Sequence, residues 1–96
     1  MGEFVYKLDQ RELWHDEDLV RLTTTEGILM QIFSKRPNTP ISRAQLVFEL
    51  GRDKGQAQER AIDVQITRLR KKIELDPKAP RYLQTVRSAG YIFTPD

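Results

Sequence analysis

Apolar residues fall along this chain in two rhythms, and the change from one to the other divides it. From Phe4 to Leu22 they alternate with polar ones: Phe4, Tyr6 and Leu8, then Leu13, then Leu19 and Leu22, separated by Asp9-Gln10-Arg11 and His15-Asp16-Glu17-Asp18. Strand side chains point to the two faces in turn, so this spacing predicts three short antiparallel strands with tight turns. So small a sheet needs packing partners from later in the chain. Beyond it the period lengthens. Thr23 with Glu26 three residues on forms a capping box. It opens a helix with a buried face of Ile28, Leu29, Ile32 and Phe33, ended at Arg36-Pro37 because the residue before proline resists the helical conformation. Ser42 and Gln45 repeat the box before a second, shorter helix carrying Leu46, Val47 and Leu50, with Gly51 as its stop.

The third helix is the longest. Between Glu59 and Glu74, Ile62, Ile66, Leu69 and Ile73 recur at spacings of 4, 3 and 4, one stripe on a 3.6-residue period. Asp76-Pro77 stops it. Arg81 to Val86 and Tyr91 to Thr94 are β-prone runs joined by Arg87-Ser88-Ala89-Gly90, a hairpin with a basic tip. The predicted order is sheet, helix, helix, loop, helix, hairpin. This is an α+β winged helix-turn-helix: an N-terminal antiparallel sheet over 1–22, three helices over 23–76 and a wing hairpin over 81–94. Ninety-six residues suit one such domain with one core.

Composition changes the picture little until it is divided. At 39% hydrophobic and 31% charged residues the chain is that of a water-soluble globular domain. No apolar run approaches the roughly 20 residues that span a bilayer, no signal peptide follows Met1, and the lack of cysteine excludes disulfides and permits a cytoplasmic location. Residues 1–58 hold 8 Lys/Arg and 9 Asp/Glu, whereas 59–87 hold 8 and 4. Positive charge is concentrated on the long helix and the hairpin, as a surface facing a polyanion requires.

Opposite its apolar stripe the long helix presents Arg60, Asp63, Val64, Thr67, Arg68 and Lys71, with Arg70 and Lys72 on the flanks. At about 1.5 Å per residue it is roughly 24 Å long and fits a major groove. Arg68 has the planar fork that bonds guanine O6 and N7, or alternatively grips a phosphate. Asp63 can accept from cytosine N4, or pair within the helix with Arg60 or Thr67. Val64, apolar and turned from the core, suits a thymine methyl. Arg60, Thr67, Arg70, Lys71 and Lys72 read as phosphate contacts, which position without reading sequence. Lys78 and Arg81 are further backbone candidates. Arg87 at the hairpin tip suits a narrow minor groove or another phosphate. His15, the one histidine, reads as a solvated turn residue, and Tyr82 and Tyr91 as core and wing aromatics. With no glycine-rich phosphate loop and no carboxylate pair in an evident pocket, neither catalysis nor a metal or cofactor is expected. The competing reading is a winged helix whose basic face meets an acidic protein partner or a second copy.

The run Arg60 to Ile73 (RAIDVQITRLRKKI), then Asp76-Pro77, then Arg81 to Tyr91 (RYLQTVRSAGY), closely resembles the C-terminal DNA-binding domain of the OmpR/PhoB response regulators. Leu22 to Glu26 and Ser42 to Leu46 resemble that family's entries to its first two helices. The likeness covers essentially the whole chain, about 30 residues matching in order and spacing. It implies a bacterial transcription regulator in a phosphorelay, its receiver domain N-terminal and absent from this stretch. It also implies duplex DNA as partner, two domains on tandem half-sites, and a base-reading role for Arg68. The loop from Arg52 to Gln58 is by chemistry a polar connector. The resemblance makes Arg52, Asp53, Lys54, Gly55 and Gln56 a contact loop for RNA polymerase. Two positions depart from the family: Gly27 replaces a large apolar residue, which predicts looser packing of the first helix, and Ser88 replaces the glycine after the wing arginine, which alters the wing tip.

Overall fold

The computed structural model describes residues 1–52 and 59–95. Strands β1 (Phe4–Lys7), β2 (Glu12–His15) and β3 (Asp18–Val20) form an antiparallel sheet in that order. Its register differs from the expectation at the third strand. Leu13 pairs with Tyr6 on one side and Val20 on the other, and this row faces the core. Val5, Trp14 and Leu19 pair across the opposite face. Leu8 and Leu19, expected inside, are 40% and 48% exposed, and Val20 takes the inward place. A one-residue shift in register moves every side chain to the other face, and the turn after His15, with Asp16 at φ 55°, sets it here.

Helix α1 (Thr24–Lys35) begins on a full capping box: Glu26 N donates to Thr23 Oγ1 at 3.1 Å and Thr23 N to Glu26 Oε1 at 2.9 Å. Before α2 (Arg43–Arg52) only half the box forms. Gln45 N donates to Ser42 Oγ at 3.0 Å, but the Gln45 amide turns along the helix to Glu49 Oε1. Gly51 does not end α2. The helix runs through it to Arg52, and Gly51 is not among the residues at positive φ that a glycine stop requires.

Helix α3 (Glu59–Ile73) buries Ile62, Ile66, Leu69 and Ile73 completely, against Leu29, Phe33, Leu46 and Leu50 of the other two helices. Strands β4 (Leu83–Val86) and β5 (Gly90–Phe93) make the wing, with Thr85 opposite Tyr91. Ile41, just before α2, bridges to Tyr91 and joins the wing to the helices. Gly90 makes this approach possible. Its φ is 121°, and a Cβ there would stand 2.1 Å from the carbonyl oxygen of Ile41. At the tip Ser88 adopts φ 66°, the left-handed conformation that glycine takes without strain.

Candidate nucleic-acid interface

Four charged side chains, those of Asp63, Arg70, Lys72 and Glu74, fasten α3 and the residue after it to the rest of the domain. Glu74 is buried, and its carboxylate accepts from the backbone N–H groups of Arg81 (2.8 Å), Tyr82 (3.0 Å) and Leu83 (2.8 Å), satisfying the donors at the entry to the wing. Lys72 donates to the Arg21 carbonyl at 2.7 Å and pairs with Glu26, whose side chain is 2% exposed. Burial pushes the Glu26 carboxyl up, but the Lys72 ammonium and the Thr23 backbone N–H outweigh it and hold the group below the ordinary glutamate range. Arg70 reaches sideways, donating from Nε to the Leu83 carbonyl and from Nη2 to Thr85 Oγ1, both at 2.9 Å.

Helical position suggests phosphates for Arg70 and Lys72; in the structure both side chains bond within the domain. Their donors face β4, β3's exit and α1 because those elements pack against the flanks of α3, which helical spacing alone does not reveal. Asp63 likewise pairs with neither Arg60 nor, through its carboxylate, Thr67. Thr67 Oγ1 donates to the Asp63 backbone carbonyl at 2.9 Å. The Asp63 carboxylate accepts from Arg43 Nε at 2.8 Å and from the Tyr91 hydroxyl. Those bonds, that of Tyr91 first, hold it below the usual aspartate range, and burial together with Asp63 raises the Tyr91 phenol.

What remains on the outward side is Arg60, Val64, Arg68 and Lys71. All four are exposed, Val64 at 49%, and none of the three cations has a hydrogen-bond or ion-pair partner among the described residues. Arg87 stands exposed at the wing tip. Beside it, a cleft of about 250 Å³ opens between the start of α2 (Ser42, Arg43), the start of α3 (Glu59) and the wing (Thr85, Ser88, Gly90). Lys78 and Arg81 are exposed, with the Arg81 guanidinium 5.5 Å from the Tyr82 ring centre. Residues 53–56 and the side chain of Arg52 lie outside the described residues.

Sequence reasoning passes over Arg43 and Glu74. Along the chain Arg43 is only an interior position of a capping box, and Glu74 only the end of a helix; no local signal marks either. His15 is not simply solvated: its Nε2 meets Glu3 Oε2 at 2.9 Å, a bond that raises its pKa, and its ring stacks on Phe4 at 4.5 Å. No helix of the described residues is long and apolar enough to cross a membrane.

Residues 16–93 match the family model described as transcriptional regulatory protein, C terminal. The chain is 52% identical over 101 residues to Protein PetR of Rhodobacter capsulatus, covering all of this chain and 43% of PetR. It is 37% identical over 95 residues to the regulatory protein VirG of Agrobacterium tumefaciens, covering 98% of this chain and 36% of VirG. It thus spans less than half the length of these relatives. Among solved structures, the DNA-binding domain of Klebsiella pneumoniae RstA in complex with the RstA box superposes with a TM-score of 0.83 at 26% identity, covering 99% of this chain and 94% of that one. The AdeR DNA-binding domain in complex with an intercistronic region gives 0.75 at 26% identity, over 98% and 95%. With a winged-helix architecture, a basic helix braced by the wing and a family match over most of its length, the chain belongs to the C-terminal DNA-binding domains of OmpR/PhoB-type transcriptional regulators.

Proposed function

We propose that this domain reads a specific duplex sequence as the effector of a cytoplasmic two-component regulator, with α3 in the major groove and the wing tip in a neighbouring minor groove. The observation that carries this reading is the outward face of α3. There Arg60, Arg68 and Lys71 have no partner among the described residues and flank an exposed valine, while Arg70 and Lys72 are engaged. An apolar side chain held in water between cations gains on docking if a thymine methyl covers it. In this reading Arg68 bonds a guanine edge, Val64 contacts a thymine methyl, Arg60, Thr67 and Lys71 hold phosphates, and Arg87 enters the minor groove. Asp63, Arg70 and Lys72 are assigned to bracing, since each already bonds to a neighbouring element of the domain. Residues 52–56 are assigned to RNA polymerase and a second copy to a tandem half-site, both on the family resemblance.

Selection of bound sequences from a random duplex library, at about 150 mM salt where charge-only binding is suppressed, tests the proposal. A short motif, repeated at about one helical turn in direct orientation, is the expected result. Recovery of no motif, with binding that vanishes as salt rises, would contradict it and favour a protein partner for the basic face.

A further inference from the structure

Tyr91 joins the parts of the domain that the DNA-binding reading turns toward the duplex. Its side chain is almost wholly buried, at 5% exposure for the residue. The hydroxyl donates to Asp63 Oδ1 on α3, and the same oxygen accepts from Arg43 Nε at the first turn of α2. Two guanidinium groups lie over the ring, Arg43 at 5.9 Å and Arg70 at 5.5 Å from its centre. A cation near an aromatic face is held by the ring quadrupole. The Tyr91 backbone exchanges two hydrogen bonds with Ile41, at 2.8 and 3.0 Å, just ahead of α2. Arg70 extends the tie to the other wing strand, through Leu83 and Thr85, and Thr85 is Tyr91's own cross-strand neighbour.

This network reaches both strands of the wing, α3 and the start of α2. Tyr91 itself is buried between these elements, while Arg43 and Asp63, about half exposed, close the network at the surface. Cutting the hydroxyl bond would leave the wing attached to α3 through Arg70 and Glu74 and to the start of α2 through the Ile41 bridge, with more freedom in how it sits.

We infer that Tyr91 is a positioning residue for DNA recognition: anchored on Asp63, with the guanidinium groups of Arg43 and Arg70 over its ring, it holds the wing at a set distance and angle from α3, so that Arg87 is already placed when Arg68 engages the major groove. The inference rests on the DNA-binding reading. A pre-placed contact costs less ordering on binding than one the complex must itself arrange. The contribution of Tyr91 to affinity therefore runs through Arg87.

A double-mutant cycle reads this directly. Binding is measured to a duplex carrying the motif recovered by selection, for the unaltered domain, Tyr91→Phe, Arg87→Ala and the double variant. Tyr91→Phe keeps the ring that both guanidinium groups approach and removes only the hydroxyl. Alone it should weaken binding about tenfold, and in the Arg87→Ala background less than about twofold. Amide exchange should quicken in β4 and β5 while α1 stays protected. Equal losses in both backgrounds would overturn the inference, because Tyr91 would then act independently of the wing tip. Should Tyr91→Phe melt below the assay temperature, Thr85→Val removes one of the two bonds by which Arg70 holds β4 and carries the same expectation. Absence of duplex binding by the unaltered domain would overturn the DNA-binding reading together with the inference.

Discussion

Lys71 and Lys72 are adjacent in sequence and alike in chemistry, yet one projects from the domain and the other is sewn into it. Lys71, with Arg60, Arg68 and Val64, stands exposed on the outward side of α3. Lys72, with Asp63, Arg70 and the following Glu74, meets β3's exit, α1, the start of α2 and the wing. One residue is about 100° of helical turn, enough to change a cation from a free surface charge into a strut. A count of basic residues on a helix therefore overstates the charges available to a polyanion. The outward set can be altered with little cost to the fold, whereas the inward set cannot.

The comparison breaks most severely at Glu74. Glu74→Ala would leave three backbone N–H groups at the wing entry without their acceptor, at about 1–3 kcal/mol for each that stays buried and unpaired. A thermal melt should show loss of several kcal/mol, or no folded domain. A loss under about 1 kcal/mol would mean the wing entry is held by other means.

The Glu26–Lys72 pair comes next. Lys72→Met strands a buried carboxylate and should cost about 3 kcal/mol near neutral pH, a loss that breaking one partner of a buried pair ordinarily brings. The pH dependence follows from the lowered pKa of Glu26. Its stabilising contribution is fully present above the ordinary value of 4.5 and is lost as pH falls through the lower value of the folded state. Denaturant melts from pH 7 to 3 should show an acid loss that shrinks in Lys72→Met. An unchanged acid limb would mean that this pair adds nothing to stability.

On the outward side the effects fall on binding instead. Arg68→Ala should leave the melting temperature within about 2 °C and relax discrimination at one base position by about 1–3 kcal/mol. Uniform weakening across all sequences would reassign Arg68 to a phosphate. The smallest effect is a gain at Gly27, where an added Cβ meets nothing within 4 Å. Gly27→Ala should stabilise the domain by about 1 kcal/mol in a melt, the helix-propensity difference, and a loss there would mean that the space is needed.

The features legible in the sequence are those whose partners are close along it. The α3 stripe follows from period alone, and the Thr23–Glu26 box needs only four residues. The wing hairpin is visible in two β-prone runs and a basic turn. The bracing network is not, since Glu26 meets Lys72 across 46 positions and Asp63 meets Tyr91 across 28, and no local pattern encodes such pairings. The same limit explains the candidate site. The outward orientation of Arg68 and Val64 can be read from helical phase, but the withdrawal of Arg70 and Lys72 depends on which elements pack beside α3. At Ser88 the backbone stands at φ 66°, a conformation glycine takes without strain, so the serine departs from glycine against the local backbone preference.

The most direct test of this division compares Lys71→Gln with Lys72→Gln, measuring duplex affinity as a function of salt at a temperature where both variants are folded. Glutamine removes the charge in each case and keeps a hydrogen-bond donor. Taking away one lysine–phosphate interaction should lower the slope of log affinity against log salt by about 1. Lys71→Gln should show that reduction, and Lys72→Gln should keep the slope of the unaltered domain while melting at a lower temperature. Equal reductions in slope, or a reduction only in Lys72→Gln, would contradict the separation of gripping from bracing charges along α3.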